Sequence, residues 1–330
     1  MTGPGVTSPA PTVDLAPLPD DLSRVEETLR GAVRTADPFL ADVAVHLIEA
    51  GGKRIRPTLA LCATYASSSA TRAHDNAITG AVAVELVHLG SLYHDDVIDE
   101  AETRRGVPSV NARWSNIVAI LAGDFLLARA SSLAASLGAD VAGLLAATIG
   151  ELCRGQVLEL QHLFDTTRSE DGYESTIEGK TAALFATSCR IGGMVAHVSD
   201  PTLDALTRFG RHLGMCFQIV DDVLDLTATE DALGKPAGQD LLEGVYTLPV
   251  IYALRESPEL CDLLGQPIDQ EQLAEIRSIA TRNGAVESAL DVARDHAVKA
   301  RDALDGAEGL DVEVSEELGR LVDGLVTREK

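Results

Sequence analysis

Residues 85–99 read ELVHLGSLYHDDVID, and this stretch indicates how the chain folds. Its apolar residues recur at three- and four-residue spacings, which is typical of an α-helix. Asp95 and Asp99 are four residues apart, so they project from one side of this helix, whereas Asp96 lies about 100° round the axis. Unneutralised carboxylates at this spacing repel one another. Because Mg²⁺ prefers converging oxygen ligands of this kind, the stretch predicts a metal-binding helix.

The same acidic pattern recurs in residues 217–226, which read FQIVDDVLDL. Asp221 and Asp225 are again one turn apart, and Asp222 lies next to them. A solvated acidic face is not expected inside so apolar a segment. If the two helices face each other, their carboxylates flank a cavity and hold metal ions between them.

The rest of the chain also has the apolar spacing of helices, from Asp21 almost to the C-terminus. No alternating strand pattern bounded by hairpin turns is present, and no internal repeat. We therefore predict an all-α fold, with one large helical domain over residues 21–330 and a disordered, proline-rich tail over residues 1–20. The predicted helices are 21–35, 37–50, 54–67, 76–100, 112–137, 139–164, 173–197, 201–228, 239–255, 268–283, 285–304 and 313–328.

The charge of the chain limits what it can bind. Aspartate and glutamate number 51 against 27 lysines and arginines, a net charge of −24, which disfavours nucleic acid as a partner. An anionic substrate therefore requires a local basic cluster or bound cations. GGKRIRP at 51–57 supplies such a cluster, because Lys53 and Arg56 lie three apart at a helix start that already favours anions. Further basic candidates are Arg104, Arg105, Lys180 and Lys235.

Cysteine usage and hydropathy predict a soluble cytoplasmic protein. The five cysteines are widely spaced without a CxxC pair, which is typical of reduced thiols. No stretch approaches the roughly 20 uninterrupted apolar residues of a membrane span. We therefore expect no stable membrane anchor.

Taken together, these motifs resemble the trans-isoprenyl diphosphate synthases, also called polyprenyl synthetases, and above all their actinobacterial long-chain members. The resemblance implies a helical bundle of the isoprenoid synthase type with a central active-site cavity, and a homodimer. It implies Mg²⁺ as cofactor, with three ions when substrate is bound. It also implies condensation of isopentenyl diphosphate with an allylic diphosphate to a long-chain all-trans polyprenyl diphosphate. The segments that carry it are 51–57, 85–106, 121–128, Gly155-Gln156, Lys180-Thr181 and 217–249.

The resemblance also implies roles for individual residues. The expected magnesium ligands are Asp95, Asp99 and Asp221, supported by Asp96, Asp222 and Asp225. The expected contacts to the allylic diphosphate are Arg104, Lys180 and Lys235, with Thr181 and Gln218 lining the reacting region. The expected contacts to the diphosphate of isopentenyl diphosphate are Lys53, Arg56, His88 and Arg105. One departure is Val245, where many relatives have lysine, so one diphosphate contact is in doubt.

Product length is expected to depend on Gly90 and Ser91, five and four residues before Asp95. In the family, bulky aromatic residues there accompany short products, so small residues predict an open passage and a long product. Three alternatives stay open from the sequence. They are a geranylgeranyl or farnesyl diphosphate synthase, a terpene cyclase, and a non-catalytic subunit of a heteromeric synthase.

Overall fold

The computed structural model of the protein describes residues 13–68, 72–227, 237–282 and 284–327. About three quarters of these residues are helical, which confirms the all-α prediction. The only β-structure in these ranges is a small antiparallel hairpin, Thr103–Arg104 paired with Val107–Pro108, which the sequence did not predict. The helices are α1 (Leu18–Ala32), α2 (Pro38–Glu49), α3 (Ile55–Thr64), a 3₁₀ turn (Tyr65–Ser67), α4 (Asp75–Ile98), α5 (Val110–Arg113), α6 (Asn116–Ser136), α7 (Ala139–Gln161), α8 (Glu170–Ile177), a π-helix (Glu178–Ala182), α9 (Ala183–Val195), α10 (Asp200–Thr227), α11 (Gln239–Glu243), α12 (Leu248–Glu256), α13 (Pro258–Leu263), α14 (Gln270–Ala280), α15 (Ala285–Asp305) and α16 (Val312–Val326).

Helix α4, which carries the first acidic motif, lies at the centre of the bundle. Its apolar residues are spread round the whole axis, as expected for a helix that is buried on all sides. Val82, Leu86 and Leu89 are inaccessible to solvent, and the helix packs against α3, α6 and α9. Burying one such side chain contributes about 1.5–3 kcal/mol. Packing therefore holds α4 in place although the carboxylates at its end repel one another.

Helix α10, which carries the second acidic motif, packs against α9 and α15. Leu213, Ile219 and Val223 on this helix are buried. Since α4 and α10 both pack against α9, the two motifs are brought to opposite sides of one space, and this space is the cavity described below.

The folded part of the chain begins earlier than predicted. Helix α1 starts at Leu18 rather than at residue 21, and Leu15 and Leu18 are buried in the core. The predicted tail over residues 1–20 therefore extends too far, because its last apolar side chains pack against the bundle. Residues 1–12 lie outside the described ranges.

The helix predicted over 173–197 contains a π-helix at Glu178–Ala182. Here α7 crosses the chain at very short range, and a Cβ on Gly179 would lie only 2.8 Å from the carbonyl oxygen of Glu151. The wider π turn, common at functional sites, lets the backbone pass α7.

The helix predicted over 239–255 is broken into α11 and α12 by a turn at residues 244–247. Gly244 adopts a left-handed conformation with φ of 79°, and its missing side chain leaves room for the ring of Phe164. Such a glycine ends a helix without steric cost, which explains the break.

Within the described residues, two helices, α6 and α7, have the length and the apolar composition needed to cross a membrane. Packing helices of soluble proteins pass the same test, so this is weak evidence of a span. These two helices also carry five of the nine large apolar side chains that are exposed in the described ranges. The five are Ile117, Ile120, Leu121, Val157 and Leu160, and we call them the α6–α7 apolar set.

Candidate active site

A cavity of about 510 Å³, the first cavity, lies between α4, α10 and the loop that precedes α3. Most of the predicted site residues line it, although they are spread over five separate segments of the chain. The predicted residues in its wall are Lys53, Arg56, His88, Ser91, Asp95, Arg104, Arg105, Lys180, Thr181, Gln218 and Asp221.

The first acidic motif divides its carboxylates between the two sides of α4. Asp95 lines the first cavity. Burial raises the pKa of Asp95 to about 6, with Lys180 opposing this shift and Asp99 adding to it. Asp96 is turned away and fully buried, and both Nε and Nη2 of Arg104 contact its Oδ1 at 2.7 Å. Asp96 therefore orients Arg104 and does not line the first cavity, and its predicted support of the metal cluster, directly or through water, stays a prediction.

The second acidic motif is divided in a similar way. Asp221 lines the first cavity. Asp222 lines a smaller second cavity of about 110 Å³, where it accepts hydrogen bonds from the hydroxyl of Tyr173 at 2.6 Å and from Gln218 Nε2 at 2.7 Å. Burial raises the pKa of Asp222 to about 7, although these two hydrogen bonds lower it.

The last carboxylate of each motif, Asp99 or Asp225, does not line the first cavity with Asp95 and Asp221. The buried carboxylate of Asp225 accepts a hydrogen bond from the backbone nitrogen of Asp240 at 3.3 Å, so it anchors the start of α11. Asp99 lines the second cavity with Asp222. Burial raises the pKa of Asp99, while Lys180 lowers it.

The basic end of the first cavity is built around Arg54, to which the sequence assigned no role. Arg54 has a left-handed backbone with φ of 48° and is 8% exposed. Its guanidinium binds Glu26 and, at 2.9 Å, Glu85, and it also donates to the carbonyl of Ile48 at 3.1 Å. This buried network fixes the loop, so that its neighbours Lys53 and Arg56 line the cavity.

The cations at this end lie close together in a region of low dielectric. Burial lowers the pKa of Arg56 to about 10, and Arg105 lowers it further whereas Glu85 opposes the shift, so Arg56 stays charged at neutral pH. Burial, and after it Arg56 and Arg105, lowers the pKa of His88 well below its usual value, so His88 is neutral there. Arg105 is held by the carbonyls of Gly51 and, at 3.1 Å, Leu47. The arrangement is a preformed anion site with one neutral hydrogen-bonding group.

Lys180 lies in the π-helix and links the two cavities, since it lines both. Its Nζ is 2.5 Å from Oε1 of Glu159, a residue of α7 that the sequence did not single out. Burial alone would lower the pKa of Lys180, but Glu159, Asp95 and Asp99 raise it. Lys180 is therefore a charged group held between the carboxylates of α4 and α7.

The two predicted chain-length residues have different positions. Ser91 lines both the first cavity and a third, mainly apolar cavity of about 270 Å³ between α4 and α7. Gly90 lines neither in the described residues, because it packs against α6. A Cβ on Gly90 would lie 3.1 Å from the carbonyl oxygen of Gly123 and 3.2 Å from the side chain of Leu127. The structure thus places Ser91 on the passage and Gly90 against α6, and the role of both residues in product length stays a prediction.

Lys235, predicted to contact the allylic diphosphate, lies outside the described residues. Sequence reasoning missed seven residues with ionisable side chains in these walls: Arg54, Glu85, Glu159, Arg168, Tyr173, Asp240 and Glu243. Arg54 and Glu85 stand in quoted motifs, and the place of Glu85 one turn before His88 could have identified it. The other five belong to no repeated pattern in this one sequence.

Comparison with known proteins identifies the class. A family model described as polyprenyl synthetase matches residues 37–281, so the chain belongs to the polyprenyl synthetase family. It is 40% identical over 314 residues to the nonaprenyl diphosphate synthase of Mycobacterium tuberculosis, which covers 93% of this chain and 92% of that protein. It is 41% identical over 292 residues to heptaprenyl diphosphate synthase component 2 of Geobacillus stearothermophilus, covering 88% of this chain and 90% of that protein.

A solved structure agrees. The crystal structure of geranylgeranyl pyrophosphate synthase from Corynebacterium glutamicum, complexed with calcium and isoprenyl diphosphate, has a TM-score of 0.82 to this chain. It is 41% identical and covers 94% of this chain and 96% of that one. The chain is therefore an enzyme that transfers prenyl groups, as the sequence predicted.

Proposed function

We propose that the chain condenses isopentenyl diphosphate with an allylic diphosphate and repeats this step to make a long-chain all-trans polyprenyl diphosphate. The observation that carries the proposal is one cavity whose wall combines carboxylates from two acidic motifs with a cluster of basic residues. The nonaprenyl and heptaprenyl synthases among its relatives support a long product. A shorter product is the alternative, because a geranylgeranyl pyrophosphate synthase is also among the similar structures.

We propose Mg²⁺ as the metal, with Asp95, Asp99 and Asp221 as its protein ligands and three ions in the substrate complex. The donor set fits, because carboxylate oxygens suit Mg²⁺ and a solved relative contains calcium with isoprenyl diphosphate. The raised pKa of Asp95 fits too, since a bound cation would relieve the cost of burying its charge. When bound, the metal stabilises the diphosphate that leaves the allylic substrate.

In this mechanism the chain holds the two diphosphates at different ends of the cavity. Lys180 and Arg104 bind the allylic diphosphate, and their partners Glu159 and Asp96 hold them in position. Because both cations are oriented before substrate arrives, they stabilise the leaving diphosphate without reorganisation.

Isopentenyl diphosphate binds at the other end, where Lys53, Arg56 and Arg105 take its diphosphate. Neutral His88 donates one hydrogen bond to it. The double bond of isopentenyl diphosphate attacks the allylic carbocation, and holding both reactants at contact distance supplies much of the rate. The carbocation formed by this attack then loses a proton to the departed diphosphate and forms the double bond of the product, so no protein base is needed.

The third cavity is our proposed path for the growing chain. Its wall is mainly apolar and includes Ile98, Leu152, Val157 and Leu160, so it suits a hydrocarbon tail that leaves the reaction centre beside Ser91.

For assembly, we propose a homodimer that covers the α6 members of the α6–α7 apolar set, Ile117, Ile120 and Leu121. Ile117 and Leu121 are 71% and 61% exposed, which is unusual for adjacent large side chains unless another protein surface covers them. A different subunit is the alternative, because one relative is a component 2 of its synthase.

The test uses the purified full chain with Mg²⁺, isopentenyl diphosphate and allylic primers of increasing length, followed by chromatography of the dephosphorylated products. We expect long polyprenols, and a loss of turnover by at least a hundredfold in D95N and D221N with unchanged folding. Products no longer than geranylgeraniol support the shorter-chain alternative. A cyclic hydrocarbon formed without isopentenyl diphosphate supports a cyclase, and turnover only with a second protein supports a heteromeric synthase.

A further inference from the structure

The second cavity has a strongly acidic wall. Its lining includes five carboxylate residues and two basic residues, Arg168 and Lys180. Lys180 forms an ion pair with Glu159. The carboxylate residues are Asp99, Glu159, Asp222, Asp240 and Glu243. A diphosphate held beside Asp222 and Lys180 would therefore meet more negative than positive charge, and Arg168 reduces this excess.

Arg168 is buried in this wall and forms no salt bridge among the described residues, although the carboxylates of Glu159 and Asp222 oppose the lowering of its pKa by burial. It is 5% exposed and lies in the loop between α7 and α8. Its Nη1 donates to the carbonyl of Tyr246 at 3.0 Å and its Nη2 to the hydroxyl of Thr176 at 2.8 Å. Both acceptors are neutral, and Nε has no partner among the described residues. A buried guanidinium without an ion pair is costly, so such a group calls for an explanation.

The contacts of Arg168 connect it to the second acidic motif. Its guanidinium lies over the ring of Tyr173, 5.6 Å from the centroid. The hydroxyl of that tyrosine donates to Asp222 at 2.6 Å. Arg168 also donates a hydrogen bond to the carbonyl of Tyr246. The residue before it, Val245, lines the second cavity and has no charge.

We propose that Arg168 is a positioning residue for the allylic diphosphate. It holds the 244–247 turn and Tyr173 beside Asp222, and it gives the wall of the second cavity the positive charge that Val245 does not. This rests on the proposed role of the second acidic motif in binding that diphosphate. The basic residues at the other end of the first cavity are not involved.

Four variants of the full-length enzyme separate charge from packing. R168M removes the charge and keeps most of the volume, whereas R168K keeps the charge. R168M/V245K removes the charge at residue 168 and places a cation at residue 245, which lines the same cavity. T176V is the matched control, because it removes one hydrogen-bond acceptor of Arg168 and leaves the charge in place.

The measurements are kcat and the KM for each diphosphate with saturating Mg²⁺, together with the thermal midpoint. In R168M we expect the KM for the allylic diphosphate to rise about tenfold or more, which is about 1.4 kcal/mol per tenfold. The KM for isopentenyl diphosphate should stay within twofold. R168K and R168M/V245K should recover most of the loss, and T176V should lower the thermal midpoint without changing either KM.

Several results would overturn the inference. One is a folded R168M whose allylic KM is within twofold of that of the unsubstituted enzyme, and another is a folded R168M/V245K that is no better than R168M. If R168M does not fold, R168Q, which also removes the charge, takes its place, and a folded R168Q whose allylic KM is within twofold of that of the unsubstituted enzyme contradicts the inference. The proposed function fails separately, because then the unsubstituted enzyme would not condense the two diphosphates.

Discussion

Gly155 offers a sharp test of how Lys180 is positioned. Helix α7 and the π-helix cross at Gly155 and Gly179, one residue before Lys180. A Cβ on Gly155 would overlap the backbone nitrogen of Lys180 and lie 2.9 Å from the carbonyl carbon of Gly179. These neighbours are backbone atoms, which cannot rotate away. Gly155→Ala must therefore push the π-helix, and with it Lys180, away from α7.

The size of this effect follows from the distances. Ordinary contact with a Cβ begins at 3.4 Å, so the 2.9 Å contact requires a separation of at least 0.5 Å more, and the overlap at Lys180 requires still more. A displacement of about 1 Å in a reacting group can cost roughly 100-fold in rate. Overpacking of this kind also costs about 1–3 kcal/mol of folding free energy. We expect G155A to lose between roughly tenfold and 100-fold in kcat/KM for the allylic diphosphate.

Gly150 on the same helix is the matched control, because a Cβ there meets nothing within 4 Å. G150A should keep full activity and gain about 0.5–1 kcal/mol, as alanine favours a helix over glycine. The assays are steady-state kinetics with both diphosphates and urea unfolding of each variant. If G155A matches G150A in activity and in free energy of unfolding, the crossing does not position Lys180 and the reasoning is refuted.

Three further predictions concern product length, assembly and pH. Ser91→Phe should shorten the polyprenols seen by chromatography, because the larger side chain narrows the passage between the first and third cavities. An unchanged distribution of product lengths would contradict this. Leu121→Glu should halve the mass seen by light scattering, whereas Val312→Glu, also at an exposed apolar residue, should not; a dimer that survives L121E argues against the proposed α6 interface. Burial, and after it His212 and Lys299, lowers the pKa of His296 from 6.5 to about 4. The folded state therefore binds fewer protons than the unfolded state between these pH values, so up to about 3 kcal/mol of stability is present above pH 6.5 and is lost as the pH falls towards 4. Urea unfolding at pH 7 and 5 should show a smaller loss in H296Q, and an equal loss in both proteins would exclude His296 as its source.

Helical spacing in the sequence was enough to predict which carboxylates share a face. Asp95 faces the first cavity and Asp96 does not, as expected for neighbours about 100° apart on a helix. The same rule could not tell Gly90 from Ser91, because which face of α4 packs on α6 depends on the close approach at Gly123. Periodicity gives the relative directions of side chains, and tertiary packing gives their surroundings.

Breaks inside helices depended on contacts that are distant in sequence. The turn at Gly244 fits around Phe164, 80 residues earlier, and its carbonyl accepts a hydrogen bond from the backbone nitrogen of that residue at 2.8 Å. The π-helix depends in the same way on Gly155. Arg168 contacts the 244–247 turn through Tyr246, and Glu159 contacts the π-helix through Lys180. Because these contacts are distant in sequence, no local pattern indicated the two residues. Such residues can be found in a single sequence only once the fold is known.

The electrostatics of the first cavity explain how so acidic a protein can bind diphosphates. At one end, burial and Arg105 lower the pKa of Arg56, which means that the cations there repel one another in a region of low dielectric. At the other end, burial and Asp99 raise the pKa of Asp95, so the carboxylates repel in the same way. A diphosphate relieves the first repulsion and a divalent cation relieves the second. Because each also neutralises the other, metal and diphosphate should bind cooperatively, and the net charge of −24 does not oppose a complex of the two.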